Sequence, residues 1–236
     1  MQMGKFASRL RCAGIALALM STNVCLAASP DHPPETAQTK LFNERDLQGW
    51  RPAIQCDAQN LTDQERETLA QLAADDMTVH WQAAFGILQY DGAGKPIETE
   101  RRFGACRLSF QWKCEPCSSA TIGLPGGWSV AIGDAHCDGE AATRASGAIY
   151  EGCRRIVKPT ISADAPLGEW NQMMIHVRPR QIDVWLNGRR IAMTEDLFIE
   201  TEGPITLSGG PAPLYFRNVV VEPLEISPGQ QNSQLP

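Results

Sequence analysis

The sequence predicts an all-β sandwich carrying one short inserted helix, and three observations predict it. Apolar residues alternate with polar ones over several short runs, the period of a strand with one buried face. Gly, Pro and Asn-Gly punctuate these runs at short intervals, as antiparallel turns require. Only one stretch carries a helix-start signal followed by good helix formers.

The helix signal is Thr62-Asp63-Gln64-Glu65. Its Thr can accept from a free backbone N–H at the helix start while its Glu reaches back, which is a capping box. Glu67, Leu69, Ala70, Leu72, Ala73 and Ala74 follow, so a helix is expected over about 63–75. Beyond it the pattern is β. In Arg107 to Lys113 every second residue is apolar. Met173, Ile175 and Val177 alternate against Gln172, Met174, His176 and Arg178, and Ile182, Val184 and Leu186 repeat the pattern. Asn187-Gly188 then supplies the positive φ angles of a two-residue hairpin, with Ile191 and Met193 on the return strand. Leu214 to Val221 is apolar on both faces, as a central sandwich strand can be. No internal repeat at a fixed period is visible.

The ends read differently from the middle. Lys5, Arg9 and Arg11 precede a short apolar run from Cys12 to Met20, too short to span a bilayer. Cys25-Leu26-Ala27 fits a signal-peptidase site, so residues 1–27 read as a secretory leader and an exported, periplasmic or secreted protein is expected. Asn23-Val24 argues against a lipid anchor at Cys25, because the residue before that cysteine is not small. Residues 28–40 are Pro-rich and polar, a linker; 41–225 form the domain; 226–236 are polar and expected to be disordered. No integral membrane segment is expected after cleavage. The whole chain carries a net charge of −6, and losing Lys5, Arg9 and Arg11 makes it about −9. Such a surface argues against nucleic acid, whose affinity rests on Lys and Arg at phosphates.

Six cysteines lie beyond the leader: Cys56, Cys106, Cys114, Cys117, Cys137 and Cys153. An even count in an exported chain favours disulfides. Six cysteines allow fifteen pairings. The expected ones are Cys137 with Cys153 across the loop they bracket, Cys114 with Cys117 as a local staple, and Cys56 with Cys106 by elimination. A redox role for Cys114-Glu115-Pro116-Cys117 would need a helix N-terminus after a strand, and its flanks read as β and loop. His80, His136 and His176 show no metal-ligand spacing, and neither metal nor cofactor is expected.

Four segments, in order, carry a family resemblance. They are Leu41-Phe42-Asn43-Glu44-Arg45-Asp46-Leu47-Gln48-Gly49-Trp50, then Gly168-Glu169-Trp170-Asn171, then Val184-Trp185-Leu186-Asn187-Gly188. The last is Gly203-Pro204-Ile205 with Leu214-Tyr215-Phe216-Arg217-Asn218-Val219. Together they resemble the 3-keto-disaccharide hydrolase family, over roughly 41–224. The helical insert, Trp81, Gly86-Ile87-Leu88 and Ser146-Gly147-Ala148-Ile149-Tyr150 fit the same pattern. The resemblance implies a concanavalin- or laminin-G-like jelly roll with a concave, sugar-facing surface. It also implies cleavage of 3-keto-glycosides, by hydrolysis or by elimination and hydration. A carbonyl at C3 acidifies the C2 proton; a base removes it and the enolate expels the group at C1. The protein must supply a base, an enolate stabiliser and an acid.

The chain departs from the family in the segment that should hold this chemistry. Pro125 stands where the family has Arg, Ser129 and Ala131 where it has longer polar residues, and Ser208-Gly209-Gly210 where it carries Gln and His. Asp134 agrees, and is the candidate base; its other reading is a turn cap. The resemblance places Tyr150 on a loop that approaches the sugar, with Glu151 and Lys158 beside it; Tyr150 and Lys158 are candidate substrate contacts. Trp128 and Trp185 are candidate stacking platforms. Trp170 is expected in the core, His176 in solvent, and Asn171 and Asn218 on turn backbone. The leading expectation is an exported hydrolase or lyase acting on a saccharide or keto-sugar. The alternative is an inactive carbohydrate- or protein-binding module on the same scaffold.

Overall fold

The computed structural model describes residues 38–53, 61–134, 146–195, 199 and 202–224. The expected leader, most of the linker, the tail, Cys56 and Cys137 lie outside them. Strands β1 (Thr39–Lys40) and β2 (Trp50–Pro52) precede helix α1 (Asp63–His80), and β3 (Trp81–Ala84) and β4 (Ile87–Tyr90) form a hairpin. Then come β5 (Ile97–Thr99), β6 (Cys106–Cys114), β7 (Ser119–Gly123) and β8 (Trp128–Gly133). A hairpin of β9 (Ile149–Glu151) and β10 (Arg154–Val157) leads to the meander β11 (Asn171–Arg178), β12 (Gln181–Leu186) and β13 (Arg189–Thr194). β14 (Thr206–Gly209) and β15 (Leu214–Pro223) complete the sandwich.

Two antiparallel sheets result. The first runs β13-β12-β11-β6-β15-β4-β3, with β1 also on β15; the second runs β10-β9-β8-β7-β14-β5-β2. One apolar core fills the space between them, and it draws on both. The alternation expected for β6 is complete: Cys106, Leu108, Phe110, Trp112 and Cys114 are all buried. β11 does the same with Met173, Ile175 and Val177, each 0% exposed.

Bulges adjust the strands whose patterns were less regular. Val184 pairs with Ala192 but Trp185 pairs with Arg190, so Ile191 is an extra residue in β13. Ile191 and Ala192 are both buried, and Met193 turns outward opposite Asp183. In β15 the register slips between Arg217 and Val220, where Asn218 takes φ +52°. The slip keeps Phe216, Val219 and Val221 on the core side.

The capping box forms: Glu65 N–H donates to Thr62 Oγ1 and Thr62 N–H to the Glu65 carboxylate. The helix runs five residues past the expected 63–75. Propensity disfavours Asp76, Thr78 and Val79, but tertiary contacts outweigh it. Met77 is buried, Lys95 N–H donates to Asp76, and His80 Nδ1 lies 2.8 Å from Asp91. At the other end, Thr39 and Lys40 of the expected linker pair with Val221 and Val220.

Three further expectations change. Cys106, Cys114 and Cys153 are free, so none of the three expected bridges forms. Cys106 and Cys114 sit at opposite ends of β6, pointing into the core, where a thiol packs as a small hydrophobe. Cys117 takes φ +60° in the turn after β6 and is disulfide-bonded, but to none of these three. Trp170 is not in the core; its ring lies 4.0 Å from the Arg217 guanidinium. His176 is not free in solvent: Trp185 packs against it at 4.5 Å between ring centroids and its Nε2 is buried without a partner. Burial, then the Arg178 and Arg107 charges, hold its pKa below the usual imidazole value.

Three outcomes are expected. Asn187 sits at φ +49°, accepts from Gln172 N–H, and donates to Ala163 O and Asn171 Oδ1. Asn187→Ala should therefore destabilise by about 1–3 kcal/mol in urea unfolding. The Cys106 and Cys114 thiols are pushed up to about 12 by burial. Native alkylation mapped by mass spectrometry should modify exposed Cys153 and spare both until the protein unfolds. The depressed His176 pKa means the folded state resists protonation, so its contribution is present above the unfolded-state value and lost as pH falls through the folded one. His176→Gln should flatten that part of the stability–pH curve, measured against wild type.

Candidate functional site

The second sheet presents a continuous row of residues, one per strand, on its outer face. Arg155 is opposite Tyr150, Tyr150 opposite Ser129, and Ser129 opposite Gly123. Gly123 is opposite Thr206, Thr206 opposite Glu98, and Glu98 opposite Arg51. The neighbouring row, Ile149, Val130, Ile122, Leu207 and Ile97, is buried in the core. Side chains alternate across a strand, so the first row must face away from the core. Ala131, Thr121 and Ser208 make a second row on that same outer face.

The middle of this face is low because its residues are small. A Cβ at Gly123 would stand 2.8 Å from Thr206 Cβ, so glycine is what lets the Thr206 side chain settle there. The ends of the row are tall: Tyr150 and Arg155 on one side, the Arg51–Glu98 ion pair (2.7 Å) on the other. A trough of about 550 Å³ results, with Thr121, Gly123, Ser129, Thr206 and Ser208 among its lining residues. That is room for a small saccharide.

One wall of the trough carries charge. Arg102 and Glu202 both line it and both are exposed. Phe103 and Gly203 exchange backbone hydrogen bonds (2.7 and 2.9 Å), and Arg102 Nη2 donates to the Glu202 carbonyl. The two segments are thus clamped together a hundred residues apart in sequence. Gly203 fits closely against Pro125, where an added Cβ would lie 3.1 Å from the Pro125 Cα. Pro125 is buried and opens the short 3₁₀ turn Pro125–Gly127 that borders the trough. It contributes shape where the family resemblance expects a cation.

The structure separates the residues singled out from sequence. Tyr150 is half-buried on the trough face, next to Ser129. Trp128 touches the trough edge but is only 6% exposed and belongs to the core, so it offers no open ring for stacking. Trp185 is on the first sheet, packed on His176. Lys158 is exposed, beyond the end of β10 and not in the trough lining.

Asp134 lies five residues beyond Ser129 along β8, roughly 16 Å at strand rise, and it is 8% exposed. Its carboxylate accepts from Cys117 N–H (2.9 Å) and its own N–H donates to Ser118 O, so it caps the turn after β6. It also borders a separate depression of about 470 Å³ with Asp164, Ala165, Pro166 and Leu167. Asp134 and Tyr150 therefore do not share a site. Asn171 bonds turn backbone as expected: its Oδ1 accepts from Ala165 N–H, and also from the Asn187 amide. Asn218 donates to the Gln111 side chain.

Sequence reasoning missed Arg102 and Glu202. Each stands in an irregular segment, Glu202 directly before the Gly203-Pro204-Ile205 motif, and only the Phe103–Gly203 bridge brings them to one wall. Among the described residues, no group of three or more His, Cys, Asp or Glu is placed to hold a metal ion. No described helix is long and apolar enough to cross a membrane.

Comparison with known proteins bears on the fold and on descent. A candidate glycosyl hydrolase from Parabacteroides distasonis ATCC 8503, known at 1.70 Å, superposes with a TM-score of 0.56 at 18% identity, over 80% of this chain and 94% of its own. A candidate glycosyl hydrolase from the same organism, known at 2.00 Å, superposes with a TM-score of 0.57 at 17% identity, over 80% of this chain and all of its own. At such identities the likeness establishes the jelly-roll fold. No match was found among curated proteins. The sequence profile of the 3-keto-alpha-glucoside-1,2-lyase-like domain matches residues 37–222, which takes in strands of both sheets. On that match the chain belongs to the 3-keto-alpha-glucoside-1,2-lyase-like domain family.

Proposed function

We propose that this protein binds a 3-keto-glycoside in the trough of the second sheet and cleaves its glycosidic bond there. The observation that carries the reading is the clamped wall. It puts a carboxylate-bearing and a guanidinium-bearing residue, Glu202 and Arg102, on one side of a floor of small hydroxyl side chains. Family membership supports the substrate class. Glu202 takes the C2 proton. Arg102 faces the enolate oxygen that develops at C3, an interaction strongest as charge appears. The enolate electron pair expels the C1 oxygen, which takes the proton now held by Glu202, and water then adds across the unsaturated ketone, its oxygen to C1 and a proton to C2. Ser129, Thr121 and Tyr150 hydrogen-bond the ring hydroxyls. The basic leader-like segment and its cleavage-site pattern support action outside the cytoplasm.

A second reading places the chemistry at Asp134 and Asp164, because these two carboxylates line one depression of about 470 Å³. Kinetics on 3-keto-glucosides separates the two. Glu202→Gln should lower kcat by roughly 10²–10⁴-fold, the usual share of a general base. Saccharide binding should persist, since the amide still hydrogen-bonds. Asp134→Asn should leave kcat within a few-fold and lower thermal stability instead. Loss of turnover in Asp134→Asn with none in Glu202→Gln would move the site to the second depression. Binding without turnover in the wild type would leave a carbohydrate-binding module.

A further inference from the structure

Two hairpins in this chain use the same two-residue turn and fill it differently. Between β12 and β13 the turn is Asn187-Gly188, with φ of +49° and +79°. Between β3 and β4 it is Phe85-Gly86, with φ of +54° and +75°. Both central residues of such a turn need positive φ, which Asn tolerates and an aromatic residue resists. Phe85 thus holds a strained backbone conformation. It gains no packing in return, because its side chain is 100% exposed. A strained, fully exposed aromatic at a hairpin tip serves neither the turn nor the core. Such outliers collect where a surface contacts a ligand.

The surroundings of Phe85 indicate the ligand. Phe85 and Gly86 border a depression of about 770 Å³ whose other lining residues are Lys40, Asn43, Glu44, Arg45 and Gln48. Glu44 is strained as well, at φ +69°. The loop is ordered from within: Asn43 Oδ1 accepts from Arg45 and Asp46 N–H, and Lys40 holds Glu44 at 3.0 Å. One aromatic face ringed by amide, carboxylate and guanidinium groups of both charge signs does not suit a lipid surface or a broad apolar partner. It suits a ligand with one flat apolar side and a rim of hydroxyls that both donate and accept. We infer that Phe85 and the 43–48 loop form a second saccharide-binding site, at the β3–β4 tip and apart from the trough. A sugar ring stacks on Phe85 while Arg45 and Gln48 bond its hydroxyls.

Native affinity electrophoresis in gels containing dextran, laminarin or barley β-glucan tests this. Wild type should be retarded in at least one gel. Phe85→Ala and Phe85→Asn should lose that retardation by tenfold or more in apparent affinity. Phe85→Asn should leave kcat on 3-keto-glucosides unchanged, so failure here is distinct from failure at the trough. Phe85→Asn should also melt at an equal or higher temperature than wild type, since Asn relieves the strain. Retardation in none of the gels, or retardation unchanged by Phe85→Asn, overturns the inference. A lower melting temperature for Phe85→Asn does so too, because it would mean the ring stabilises the fold. Wild-type binding to phosphatidylcholine vesicles that Phe85→Asn abolishes would replace the sugar with a membrane.

Discussion

The fold rests on the register of β6. It pairs with β11 over Cys106 to Trp112 on one side and with β15 over Cys106 to Cys114 on the other. A slip of one residue would turn Leu108, Phe110 and Trp112 out of the core and bring Arg107, Ser109, Gln111 and Lys113 in. Burying those charged and polar side chains without partners costs several kcal/mol, so the register admits no neighbour. The strands beyond it must then fit a fixed template. β15 does so by accepting a bulge at Asn218, and β13 by accepting one at Ile191. Both irregularities fall on the other strands, the one in β15 directly against β6, and β6 itself stays regular.

The second sheet is built to a different requirement. Its inner face is as apolar as that of the first, with Ile97, Ile122, Val130 and Ile149 fully buried. Its outer face gives up bulk at the centre, where Gly123, Ser129, Ala131 and Thr206 stand. Small side chains there contribute little cross-strand packing, so this face adds little to stability and leaves room above it. The closing elements supply what the floor lacks. The Arg102 and Glu202 segments lean together through the Phe103–Gly203 bridge, and Pro125 supports them from below. A rigid, low floor with a charged wall can hold a flat, hydroxyl-rich ring and act on it from one side.

Polar residues that look catalytic in sequence divide by what their neighbours ask of them. Asp134 has a candidate base's chemistry but spends its carboxylate on the Cys117 N–H. Asp183, 1% exposed, is held by Arg178 at 2.8 Å and Arg190 at 3.6 Å, and with His176 and Trp185 it occupies the far side of the molecule. Phe85 and Glu44 show the opposite pattern, with strain and no compensating contact in the core. Burial plus satisfied hydrogen bonds marks a structural role, and unrewarded strain marks a surface selected for contact.

The strand alternation of β6, β11 and β12, the Thr62 capping box and the Asn187-Gly188 turn were legible in the sequence, because each depends on residues within one element. The family, and with it the sandwich, was legible from motifs near turns and strand ends. The helix end, the cysteine states and the site were not. Met77, Asp76 and His80 extend α1 through contacts with strands and with the loop after β4. Cys106 and Cys114 are thiols at the two ends of β6, whose alternation points both into the core. Asp134 and Tyr150, the candidate base and a candidate sugar contact, stand apart because Asp134 lies five residues beyond Ser129, the partner of Tyr150, and turns its carboxylate to the Cys117 N–H. Local sequence determined which face of each strand is apolar. Only the tertiary structure decided which polar residues meet, because a trough wall made of residues 102 and 202 exists through the pairing of segments that share no local pattern.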